Sequence, residues 1–128
     1  MKIAIIDYGA GNIQSIKFAI KRLGYDAVLT DDAAEIKAAD KVIFPGVGEA
    51  SSAMKMLKST GLDTVIPKLT QPVLGICLGM QLMCEYCEEG HTTGLSIFDA
   101  KVVRFDNSVK VPQIGWNQIY DLQSDLFE

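Results

Sequence analysis

Cys77 is the residue of this chain best placed to do chemistry. It ends the apolar run Val73-Leu74-Gly75-Ile76, stands between Gly75 and Gly79, and is followed by Leu78-Gly79-Met80-Gln81-Leu82, which begins an amphipathic pattern. This is the layout of a nucleophile elbow with cysteine in place of serine: a strand enters a strained turn, the nucleophile occupies its apex, and a helix starts there. A helix N-terminus favours negative charge, so the expectation is a thiol whose pKa is pulled down. A free cysteine is most often a small packing residue. The two glycines argue otherwise, because a packing cysteine does not need side chains removed on both sides of it.

Helical spacing through Cys87 places Gln81 and Glu85 on the Cys77 face and turns Leu78, Leu82 and Met83 inward. A carboxamide and a carboxylate beside a thiolate suit a polar substrate that carries an amide. Pro45-Gly46-Val47-Gly48 breaks another strand, and its glycines let backbone N–H groups approach a reacting carbonyl. An oxyanion hole needs one donor from a neighbouring loop and one from the residue after the nucleophile. Val47 or Gly48 and Leu78 are therefore the candidate donors.

Other motifs fail in detail. Tyr8-Gly9-Ala10-Gly11-Asn12 lies between a strand and a helix like the start of a dinucleotide fingerprint, but Gln14 stands where the third glycine belongs. The loop reads instead as a contact surface for a partner or substrate. Cys84-x-x-Cys87-x-x-x-His91 has zinc-like spacing without an evident fourth ligand, and Glu85, Glu88 and Glu89 read as the solvated end of a helix. No metal or cofactor is expected. His91 is the single histidine. If the helix after Cys77 runs to Cys87, it carries His91 on the order of 15 Å from the thiol at ~1.5 Å per residue, which makes it a poor base.

The elements that must position Cys77 follow from periodicity. Lys2 to Asp7 is an aliphatic run of the kind buried on both faces in a parallel sheet, and Asn12 can cap a helix ended by Gly24. Ala27 to Leu29 is a strand, Asp31 and Asp32 open a short helix, and Lys41 to Phe44 is a third strand. Ser51 to Lys58 and Leu62 to Leu69 read as helical, and Val73 to Ile76 as the strand before the elbow. The alternation defines an α/β fold with a doubly wound, mostly parallel sheet, in which ligands gather at the carboxyl ends of strands. After Gly90 only short strand-like pieces remain, at 101–105 and 118–120.

The 128 residues make one domain. Net charge of −4 and a pI near 4.9, without clustered Lys or Arg, exclude a nucleic-acid surface. The apolar opening stops at Asp7, too short for a signal peptide or a membrane span. Three cysteines, an odd count, favour reduced thiols and a cytoplasmic location.

Four segments together resemble the class I glutamine amidotransferases, and within them the glutaminase subunits of imidazole glycerol phosphate synthases. They are Ile5 to Asn12, Phe44 to Gly48, Gly75 to Leu82, and Val111-Pro112-Gln113-Ile114-Gly115-Trp116-Asn117. The third marks the superfamily; the first and last narrow it. The resemblance implies a flavodoxin-like fold, glutamine as substrate, no cofactor, and a heterodimer with a cyclase subunit that uses the ammonia in histidine biosynthesis. By position, Cys77 is the nucleophile, Gly46, Val47, Gly48 and Leu78 serve substrate and oxyanion, and Gln81 contacts glutamine. Tyr8, Gly9, Asn12, Trp116 and Asn117 would lie toward the partner.

Gln113 stands where many relatives have histidine. The family's Phe-His-Pro-Glu segment, which supplies the base and its orienting carboxylate, is not found before Glu128. The expectation is a single amidotransferase domain over 1–128, truncated at its C-terminal end, with the last sheet strands missing and no useful activity alone. Two other classes fit the residues: a silent module that docks on the cyclase, and a redox-responsive cysteine-elbow protein.

Overall fold

The computed structural model describes residues 1–124; the domain expected over 1–128 extends past them at 125–128, which lie outside the described residues. Strand β1, Ile3–Ile6, is buried along its whole length. Ala4 and Ile6 face one core cluster, whereas Ile3 and Ile5 face another with Ile20. This alternation is the period of a strand, and burial on both sides is why no polar residue interrupts it.

Helix α1, Ile13–Arg22, covers the second cluster and ends in a basic turn, Lys21-Arg22, that suits its C-terminal dipole. Asn12 occupies the N-cap position, but its side chain makes no capping hydrogen bond. Strand β2, Ala27–Thr30, leads to helix α2, Ala33–Lys37, where the Asp32 side chain accepts from the N–H groups of Ala34 and Glu35. Strand β3, Lys41–Phe44, and helix α3, Ala50–Ser59, follow; Ala50, Ala53, Met54 and Leu57 form the buried stripe of α3.

Residues 62–69, expected as one helix, form two 3₁₀ turns, Leu62–Thr64 and Ile66–Lys68. Pro67 has no N–H to donate, so a continuous α-helix is interrupted there. Strand β4, Val73–Gly75, completes a parallel sheet of order β2-β1-β3-β4. Since all four strands run the same way, Asp7, Pro45 and Ile76 leave the sheet at one edge. The doubly wound α/β architecture follows from this order, and the sites expected at the strand ends converge as that fold requires.

The chain after the elbow departs from expectation. Helix α4 is Leu78–Leu82 only, and Cys84–Cys87 is a strand, β5, rather than its continuation. Strand β5 pairs antiparallel with β6, Thr92–Thr93, and parallel with β7, Phe98–Val102, in a second sheet of order β6-β5-β7. Periodicity is ambiguous over a four-residue run, and pairing with later residues decided it. The strand expected at 101–105 is therefore shifted to Phe98–Val102, and 118–120 forms no strand.

Candidate active site

Two glycines set the geometry of the elbow by letting backbone approach backbone. A Cβ on Gly79 would lie 1.9 Å from the Phe44 carbonyl oxygen, and one on Gly75 would lie 2.8 Å from Met80 Cα and 2.6 Å from Met83 Sδ. That same Phe44 oxygen accepts the Ile76 N–H at 3.0 Å. Both arms of the turn thus rest on the end of β3, which brings the loop after Phe44 alongside Cys77. Cys77 has φ 54° and ψ −118°, a strained conformation for a non-glycine residue, and its side chain is exposed. An exposed cysteine at a strained strand-to-helix apex is the feature the sequence pattern called for.

Helix α4 starts at the next residue. Leu78 and Leu82 are buried, as is Met83 just past the helix end, and the Gln81 N–H donates to the Cys77 carbonyl at 3.1 Å. Gln81 is therefore one turn from Cys77, half-buried, and lines a cleft of about 620 Å³ with Glu89, His91 and Arg104; Cys77 does not line it. Glu85 has a different fate. Its expected place beside the thiol required two helical turns, but α4 ends at Leu82 and Glu85 belongs to β5, where its carbonyl accepts from Gly94.

The loop between β3 and α3 is fixed at both ends. At its head the buried Tyr8 hydroxyl donates to the Pro45 carbonyl at 2.8 Å. At its tail Glu49 caps α3, accepting from the N–H and hydroxyl groups of Ser51 and Ser52. These bonds, led by that from the Ser51 hydroxyl, hold the Glu49 carboxyl down at about 2. Glu89 adds a second carboxylate there, its Oε2 accepting the Ala50 N–H at 3.0 Å. Between the two ends Val47 and Gly48 are exposed, Gly48 with φ 100°. They are free to offer N–H groups to a substrate.

Glu89 was expected on a solvated helix end. It lies instead in the 3₁₀ turn Glu89–His91, folded back onto α3, because the chain reverses after β5. No local spacing joins residue 89 to residue 50; a tertiary contact does. The same reversal removes the premise that a long helix carries His91 away from the thiol. His91 is exposed and holds Nδ1 2.9 Å from the Tyr86 hydroxyl.

Cys87 is buried, and burial pushes its thiol pKa up; Cys84 is half-buried. Neither is poised like Cys77. Among the described residues no group of three or more His, Cys, Asp or Glu side chains is arranged to hold a metal ion. No helix among them is long and apolar enough to cross a membrane.

Of the residues expected toward a partner, Gly9 and Asn12 are exposed, Trp116 is fully exposed and Asn117 is exposed. Tyr8 is not: it is 3% exposed and turns inward. That loop presents its glycine and asparagine outward and its tyrosine to the site.

A parallel α/β sheet with a cysteine elbow at its carboxyl edge is consistent with a glutamine amidotransferase, and the chain belongs to that family: the model "Glutamine amidotransferase class-I" matches residues 4–128. The chain is also similar to imidazole glycerol phosphate synthase subunit HisH. It is 58% identical to that of Bacteroides fragilis strain YCH46 over 131 aligned positions, covering all of this chain and 67% of the relative. It is 50% identical to that of Haemophilus influenzae strain Rd over 120 positions, covering 93% of this chain and 60% of the relative. The chain thus spans about two thirds of the length of these relatives. A solved structure described as a glutamine amidotransferase has TM-score 0.66 at 20% identity, covering 77% of this chain and 54% of that one, and supports the fold.

Proposed function

We propose that this chain is the glutaminase part of an imidazole glycerol phosphate synthase. The observation that carries the reading is Cys77 exposed at φ 54°, with its elbow bonded to the Phe44 carbonyl through the Ile76 N–H and Gly46 packed against Leu78 and Gly79. The thiolate sulfur attacks the side-chain amide carbon of glutamine, and the carbonyl electrons move onto oxygen. N–H groups of Leu78 and of Val47 or Gly48 stabilise that oxyanion. The C–N bond then breaks, ammonia leaves with a proton, and water cleaves the glutamyl thioester to glutamate. Gln81, one turn on, contacts the substrate.

The similarity to HisH supports a cyclase subunit as the user of the ammonia and as the partner in a heterodimer. Gly9, Asn12, Trp116 and Asn117 are the surface we assign to it. Three cysteines without a disulfide suit the reducing cytoplasm. We also propose that the 128-residue chain by itself turns over poorly. The Phe-His-Pro-Glu segment that supplies base and carboxylate in the family is not found in these 128 residues, and general acid–base assistance is typically worth ~10²–10⁴ in rate.

Glutamate release with purified cyclase tests the reading. The longer subunit, carrying any residues that follow Glu128, should be active and lose activity on Cys77→Ala. The 128-residue chain should remain near the level of its own Cys77→Ala variant. An active longer subunit indifferent to Cys77→Ala would remove Cys77 from the reaction.

A further inference from the structure

Tyr8 is the buried residue beside the elbow that the proposed chemistry leaves without a task. A tyrosine at 3% exposure needs a partner for its hydroxyl, and of the groups around it the structure supplies the Pro45 carbonyl, at 2.8 Å. Its ring packs on Phe44, centroids 5.5 Å apart and planes inclined at 58°. A Cβ on Gly46 would lie 2.8 Å from the Tyr8 oxygen and 2.6 Å from the Gly79 nitrogen. The hydroxyl therefore sits where the oxyanion loop and the elbow meet.

The Pro45 carbonyl and the Gly46 N–H are opposite ends of one rigid planar peptide. Holding the oxygen fixes that plane, and the two N–H groups that follow, of Val47 and Gly48, are presented from it. We propose that Tyr8 is a positioning residue for the oxyanion loop, its hydroxyl anchoring the Pro45–Gly46 peptide so that the donors face the carbonyl attacked by Cys77. This rests on the glutaminase reading above. The phenol is also well kept as a donor: burial, and then the charge of the Cys77 thiolate, push its pKa up to about 12. It stays protonated throughout the neutral range.

Tyr8→Phe keeps the ring and its Phe44 contact and deletes only the anchor. Removing a direct oxyanion donor costs ~10²–10³ in kcat; loosening the loop that holds one should cost on the order of 10-fold. In the complete subunit with its cyclase, the expected result is that fall in kcat with KM for glutamine within about twofold, because the donors act on the transition state rather than the ground state. Binding of the aldehyde analogue of glutamine, which forms a tetrahedral adduct on Cys77, should weaken by a similar factor. An unchanged kcat and aldehyde affinity overturn the proposal. So does a loss spread equally over glutamine and aldehyde binding, which is what general loosening of the core produces. If Tyr8→Phe does not fold, ring-fluorinated tyrosine at position 8 keeps the hydroxyl and alters only its donor strength: kcat changing at constant KM supports the anchor, and no change overturns it. A wild-type complex with no glutaminase activity would instead sink the parent reading.

Discussion

The elbow and the stretch from Val103 to Leu122 are both rich in apolar residues and meet opposite fates. Around Cys77 the chain is packed until no methyl group fits: Gly79 lies against the Phe44 carbonyl, Gly75 against Met80 and Met83, and Gly46 against the Tyr8 hydroxyl. In 103–124, Phe105, Ile114, Ile119 and Tyr120 are all more than half exposed, and Trp116 is fully so. Both regions carry large apolar side chains, although 103–122 mixes them with charged and amide residues; what also differs is a partner surface. Strand β4 is an edge strand, but it pairs with β3 and the glycines close the turn after it onto that neighbour, whereas an apolar side chain in an irregular segment is covered only if something comes to it. The first region spends its packing on one strained residue, and the second offers its surface outward.

The sharpest way to break this contrast is to add one methyl group in each region. Gly79→Ala drives a Cβ to 1.9 Å from backbone oxygen, which only backbone displacement relieves, so stability should fall by ~3 kcal/mol or more. Gly115→Ala, by comparison, meets no atom within 4 Å and suffers only from its φ of 154°, about 1 kcal/mol. Urea unfolding of the two variants gives the difference; equal losses would mean the elbow is not as tightly closed as its geometry says.

Acid titration probes the far end of the loop between β3 and α3. The Glu49 carboxyl is held at about 2, below its ordinary 4.5, so its cap stabilises the fold fully above 4.5 and that contribution is lost as pH falls toward 2. Glu49→Gln should flatten the decline of stability across that window and leave the alkaline side unchanged. The check is the unfolding midpoint measured at stepped pH.

Tyr8 sharpens the same region from the alkaline side. Its folded value is raised, so its contribution is present below 10 and lost as pH rises toward 12. Ultraviolet titration of phenolate should show one tyrosine resisting ionisation, and Tyr8→Phe should remove that late step.

The smallest effect belongs to Trp116→Ala. A side chain wholly in solvent contributes little to its own fold, so stability should move by no more than ~0.5 kcal/mol. Affinity for the cyclase should fall, since exposed tryptophans are frequent anchors of interfaces. Calorimetric melting and a binding titration separate the two readouts, and a large drop in melting temperature would show that 103–124 is packed after all.

Much of the first 83 residues was legible in the sequence because the signals there are local. Uninterrupted aliphatic runs named β1 and β3, Asp32 named a cap, and glycines flanking Cys77 named an elbow whose observed φ of 54° agrees. What followed was not legible. Leu78, Leu82 and Met83 satisfy a helical period, and nothing within ten residues warns that Cys84 will turn into a strand.

The sequence by itself determined the parallel α/β sheet, the cysteine elbow and the glycine loop after β3, because strand burial, glycine at tight turns and the strand-to-helix turn are properties of short segments. Only the tertiary structure decided that α4 stops at Leu82, that Glu85 leaves the Cys77 face while Glu89 reaches Ala50, and that Tyr8 turns inward to Pro45. Each of those outcomes depends on a hydrogen bond or strand pairing between residues distant in the chain, and neither periodicity nor motif spacing carries information about such a partner.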